Sequence, residues 1–145
     1  MTTKIPSESQ PKEEISLEKC INSLISDLLY PSESDEEIAY FEMQLSTAEN
    51  ITLANFRMFN GIRPEAIIQE INLEKFFAPL VKIEDWFGEN EKKWAEDSMK
   101  LKQILLEKLK DIRILKVGEI EIDVYLIGKA EENKWAGLKT KVIET

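Results

Sequence analysis

The chain has 145 residues, 43% of them hydrophobic, enough for one core that at this size buries roughly 70% of the surface of the unfolded chain. Its 28 acidic residues outnumber 19 basic ones, and the formal charge of −9 weighs against a nucleic-acid binder, which gains affinity by neutralising phosphates with Lys and Arg, and suits a basic protein partner. A single cysteine and no histidine exclude an internal disulfide, imidazole metal ligands and Ser-His or Cys-His nucleophiles, so enzyme chemistry would rest on carboxylates alone.

Residues 1–14 contain Pro6, Pro11, Ser and Glu but no apolar core of a signal peptide, and read as an arm preceding one domain over 15–145. No stretch approaches the ~18 apolar residues of a membrane span, which points to an intracellular, cytoplasmic protein. Ser16 can cap a helix whose apolar positions Leu17, Cys20, Ile21, Leu24, Ile25 and Leu28 recur at three and four, from Leu17 to about Leu29, with Cys20 a buried thiol. Tyr30 and Pro31 end it. From Ser32 to Asn50 the acids Glu33, Asp35, Glu36, Glu37, Glu42 and Glu49 meet no Lys or Arg. The segment reads as a loop over Ser32–Glu37 and a strand over Ile38–Leu45; the charge is either a solvated face or a protrusion suited to a basic groove.

Thr52 is placed to cap a helix over Leu53–Asn60, which Gly61 would close in the left-handed conformation. Arg63-Pro64 forms a turn, Ala66–Ile71 a short strand, and Asn72 caps a helix from Leu73 to about Leu80, with Phe76, Phe77 and Leu80 as core. In Ile83–Asn90 (IEDWFGEN), Trp86 and Phe87 either tuck under the sheet or leave Trp86, beside Asp85, as an exposed binding anchor. The longest helix follows from Glu89 to about Asp111, with Trp94, Leu101, Leu105 and Leu109 inward and Glu89–Lys93 and Glu96–Lys100 as i,i+4 pairs. Ile112–Lys116 reads as a strand.

The last stretch alternates. Ile120, Ile122, Val124 and Leu126 interleave with Glu121, Asp123, Tyr125 and Ile127, and Leu138, Thr140 and Val142 with Lys139, Lys141 and Ile143, so an antiparallel hairpin closes around Glu131–Lys134. Glu144 and Thr145 would then project from a fixed strand as a small oxygen cluster. The strands lean antiparallel and the helices need surface to cover, which gives an α+β fold, an α-β-α sandwich around a mostly antiparallel sheet. Glu119, Glu121 and Asp123 share one strand face, where a solvated role outweighs an acid–base pair. No EF-hand spacing, phosphate-binding Gly loop or basic stripe with aromatics is present, so the residues describe an acidic binding domain without a cofactor.

The runs VGEIEIDVYLIG (Val117–Gly128) and AGLKTKV (Ala136–Val142), the ending Glu144-Thr145 and the motif LLYPSES (Leu28–Ser34) resemble the nuclease A inhibitor family, over about Leu24–Thr145. The resemblance implies an α-β-α sandwich that inhibits a sugar-nonspecific, magnesium-dependent nuclease, 1:1 and without binding nucleic acid itself. It further implies that Glu33, between Ser32 and Ser34, enters the arginines of the nuclease groove and that Thr145 reaches the catalytic metal of the nuclease. Trp86, in the matching Asp85-Trp86 pair, would be a further contact. Pro31 and the acids Asp35, Glu36 and Glu37 depart from the family pattern around the loop. The alternative is an acidic, phosphate-mimicking module for another basic partner, which would not need Thr145; a carboxylate enzyme would instead show turnover.

Overall fold

A computed structural model of the protein describes residues 17–44, 51–131 and 134–144. In chain order it contains helix α1 (residues 17–25), strands β1 (Leu29–Tyr30), β2 (Glu36–Glu37) and β3 (Ala39–Gln44), and helix α2 (Leu53–Asn60). Strand β4 (Ile68–Ile71) and helices α3 (Leu73–Val81) and α4 (Glu89–Lys108) lead to the strands β5 (Lys110–Val117), β6 (Glu121–Glu131) and β7 (Lys134–Ile143). β1 and β2 form a two-stranded ribbon, and the other strands one five-stranded sheet in the order β3-β7-β6-β5-β4, antiparallel throughout. The α+β class and the helix–sheet–helix layering expected from the sequence are both present.

Layering follows from what each sheet face offers. On one face Ile114, Ile122, Val124, Leu126, Leu138 and Val142 meet Ile21 and Ile25 of α1, Phe76, Phe77 and Leu80 of α3, and Leu101 and Leu105 of α4. On the other, Met43, Leu115, Val117, Tyr125, Ile127 and Trp135 pack against Phe56 of α2. β6 is the middle strand, and this corrects the expectation of one buried face. Tyr125 and Ile127, read as the outer positions, are as buried as Val124 and Leu126, because Phe56 of α2 and its neighbours cover the second face of β6 at these positions. Ile120 is 61% exposed instead of buried, since it lies in the bend before β6.

Local signals hold where side chains close their own backbone. The Thr52 hydroxyl accepts from the Asn55 N–H at 3.1 Å, the Asn55 side chain accepts from the Thr52 N–H at 2.8 Å, and Gly61 ends α2 at φ 65°. Thr52→Ala removes this cap and is expected to cost about 1 kcal/mol, measurable by denaturant unfolding. Asn72 caps α3 through the Lys75 N–H at 2.8 Å. β4 starts at Ile68, later than Ala66, because the Ala66 N–H is engaged by the Arg63 carbonyl in the turn.

Other expectations are revised. α1 stops at Ile25, short of Leu29, because the chain turns there and Leu29-Tyr30 pairs with β2. Ile21 and Ile25 centre its buried face, and Cys20, at the rim of that face, is exposed. α4 ends at Lys108, and its inward stripe runs through Ala95, Ser98, Leu101 and Leu105. Trp94 sits about 100° around the helix from Ala95 and is 41% exposed. Lys93 pairs with Asp97 at 2.9 Å, forward along the helix instead of back to Glu89. The proposed Ser16 cap, Leu45, the arm 1–14, and Glu132 and Asn133 of the hairpin loop lie outside the described residues.

Candidate functional site

Ser32, Glu33 and Ser34 lie in the loop between β1 and β2, and one hydroxyl holds that loop in place. Ser32 Oγ donates to the Ser34 carbonyl at 2.7 Å and accepts from the Ser34 N–H at 3.3 Å, folding the loop on itself. The same oxygen accepts from the Ile143 N–H at 3.2 Å, and the Glu33 N–H donates to the Ile143 carbonyl at 3.4 Å. Both backbone groups of the last β7 residue are thus engaged by the acidic loop. The Ser34 hydroxyl donates to Glu36 Oε2 at 2.5 Å, which fixes the exit into β2. Glu33 itself is exposed.

The end of β7 is held from its other side too. The Glu144 N–H donates to the Ile120 carbonyl at 2.9 Å, and Lys116 Nζ donates to Glu144 Oε2 at 3.1 Å. Tyr30 is buried beneath, its hydroxyl donating to the Phe76 carbonyl at 2.6 Å. Burial, then the nearby Glu144 carboxylate, push that hydroxyl up to about 12, so it remains a donor at any ordinary pH. Ser32, Glu33 and Glu144 border one cleft of about 600 Å³ together with Lys75, Lys116, Pro31 and Pro79. Thr145, the next residue, lies outside the described residues.

The Asp85-Trp86 pair is on the connection from α3 to α4. The Phe87 N–H donates to the Glu84 carbonyl at 3.1 Å, which makes a turn with Asp85 and Trp86 at its tip. Glu91 caps the start of α4 through the Gly88 N–H at 3.0 Å. Trp86 does not tuck under the sheet. It is 72% exposed and rests edge-on against Phe87, ring centroids 4.7 Å apart. It borders a second cleft of about 390 Å³, and Pro31 and Pro79 line both. The loop 32–34, Glu144 and Trp86 therefore share one edge of the molecule; Asp85 is exposed beside Trp86 without lining either cleft.

Three features of this edge were not legible in the sequence. The Ser32–Ile143 contact joins positions 111 apart, the Lys116–Glu144 pair joins positions 28 apart, and Ser98 of α4 faces the second cleft from a helix whose pattern shows only an inward stripe. No local signal predicts such pairings. Among the described residues no group of three or more Cys, Asp or Glu is arranged to hold a metal ion, and none of the helices is long and apolar enough to cross a membrane. Glu121 faces Lys141 at 3.8 Å with both side chains in solvent, in keeping with a solvated strand face.

A protein-family model described as nuclease A inhibitor-like protein matches residues 16–145. No match emerges among curated proteins.

Proposed function

Because the chain belongs to the nuclease A inhibitor-like family, whose members are nuclease inhibitors, we propose that it blocks a sugar-nonspecific, magnesium-dependent DNA/RNA nuclease through the edge that carries Glu33 and the chain end. Residues 15–145 are the inhibitor domain in this reading, with 1–14 an arm, and the complex is 1:1 between two proteins. The observation that carries it is the pair of hydrogen bonds on Ile143, its carbonyl accepting from the Glu33 N–H and its N–H donating to the Ser32 hydroxyl, which sets the acidic loop beside the end of β7.

The chemistry is that of a substrate mimic. A nuclease groove holds phosphates with arginines, and a carboxylate accepts paired hydrogen bonds from a guanidinium as a phosphate does, so Glu33 substitutes for the substrate charge. Magnesium prefers hard oxygen ligands and keeps part of its water shell, and the Thr145 hydroxyl supplies such an oxygen to the metal of the partner. Occupying groove and metal together denies the nuclease both substrate and its catalytic ion without any reaction by the inhibitor. Trp86, with Asp85 beside it, adds a large aromatic contact of the kind that dominates interface energetics. Lys116 holds the side chain of Glu144, the residue before Thr145.

The test is a titration of the protein, with a free C-terminus, into such a nuclease while DNA cleavage is followed. Stoichiometric loss of activity with an end point at one inhibitor per nuclease is the expected result. Undiminished cleavage at excess protein would overturn the reading in favour of an acidic module for a different basic partner.

A further inference from the structure

Of the second cleft, the proposed inhibition uses only Trp86. Its floor is apolar, built from Leu28, Leu80, Pro31 and Pro79, and its wall carries Trp86, Phe87 and Trp94. Two of these tryptophans are largely open, Trp86 at 72% and Trp94 at 41%. The rim bears Asp35, Glu84 and Glu91 against one cation, Lys82, which is itself paired with Glu84 at 3.1 Å. Inside, Ser98 is 0% exposed and its hydroxyl has no hydrogen-bond partner, although the residue lines the cleft.

We propose that this cleft receives one arginine side chain of the protein partner, its stem on the Leu and Pro floor and its guanidinium against the indoles and the rim carboxylates. The reading rests on the proposed inhibition for the identity of the partner, and on the cleft alone for the chemistry. Indole faces attract cations, and the planar guanidinium stacks on them while keeping donors free for carboxylates. Lysine lacks the planar fork. A purely apolar side chain would strip water from Asp35 and Glu84 without replacing it, and a phosphate or nucleotide would meet three acids.

The protein holds three tryptophans, and Trp135 is 1% exposed in the core, which supplies an internal control. The indole N–H resonances of the full chain are followed while N-acetyl-arginine amide is titrated in, with the N-acetyl-norleucine and N-acetyl-lysine amides as comparisons. Saturable shifts at Trp86 and Trp94, silence at Trp135, a weaker response to the lysine amide and a weaker one still to norleucine are expected. Asp35→Asn with Glu84→Gln should raise the Kd about fivefold. No saturable shift, or equal response to norleucine, overturns the proposal. Shifts of the same two indoles on dilution without any probe would assign the cleft to a second copy of the chain and also overturn it. None of these readings involves a nuclease, so their failure leaves inhibition standing. Conversely, a nuclease inhibited equally well by the double variant would remove the partner from the cleft while the probe result stands.

Discussion

Appending a short polar extension after Thr145, or replacing Glu33 by Ala, is expected to weaken nuclease inhibition by ~30-fold to ~1,000-fold, the 2–4 kcal/mol of a hot-spot loss. In the proposed complex both changes fall where the two proteins would meet, and both are expected to spare the fold. Glu33 is exposed, and its N–H keeps the bond to the Ile143 carbonyl whatever side chain it carries. An extension begins beyond Glu144, whose N–H and carboxylate stay tied to Ile120 and Lys116. The unfolding midpoint should therefore hold steady, with stability changing by less than about 0.5 kcal/mol, the usual range for surface changes. In the proposed mode the extension would push the terminal oxygens away from the metal of the nuclease, whereas Glu33→Ala would leave an arginine of the groove without its anion. Unimpaired inhibition by the extended protein would remove the role given to Thr145, and a fully active Glu33→Ala would remove that of the loop. The two contacts are thus separable in one assay.

Gly137→Ala is expected to act the opposite way, through the fold and not through the contact surface. Gly137 lies in β7 opposite Ile127 of β6 and Phe41 of β3, paired on both sides. A Cβ placed there would collide with the Leu126 carbonyl oxygen and stand 2.8 Å from the Leu126 carbonyl carbon and 3.1 Å from the Ile127 Cα. These are backbone atoms of the central strand, and no rotamer change moves them aside. The strands must separate, which costs hydrogen bonds and core contact together, so a loss of 3 kcal/mol or more is expected, or about 10 °C in Tm. A variant melting within about 3 °C of the parent, about 1 kcal/mol, would show that the β6–β7 seam gives more readily than its close approach suggests.

The sequence announced the elements whose signals are local. Thr52, Gly61 and Asn72 mark helix ends because each closes its own backbone, and Phe76, Phe77, Leu101 and Leu105 recur with the helical period of a buried face. It misled where burial depends on neighbours far along the chain. Tyr125 reads as an outer residue by alternation, but Phe56 and Phe41 stack edge-on against its ring at 4.9 and 5.2 Å, and nothing near position 125 foretells them. Cys20 and Trp94 fit a helical spacing yet fall at the edge of stripes whose centres, Ile21 and Ala95, are set by the sheet beneath. For the candidate site, the motif around Glu33 and the Asp85-Trp86 pair were visible as residues. What joins loop to strand, the Ser32 hydroxyl on the Ile143 amide, exists only once the chain has folded.

That joint governs when a binding surface exists at all. β5, β6 and β7 pair in sequence order and form from nearby residues, whereas β3 must return across the whole intervening chain to pair Ala39 with Lys139. Non-local closures of this kind come late in folding, after the local pairings that make them worthwhile. A molecule whose meander has formed but whose residues 29–44 have not yet docked holds most of its sheet and has no assembled contact edge. The same seam, with the two-residue β1 and β2 beside it, is a natural place to open first under mild heat or denaturant. If the proposed function holds, recognition of the partner would therefore require completed folding and would be lost before the bulk of the sheet.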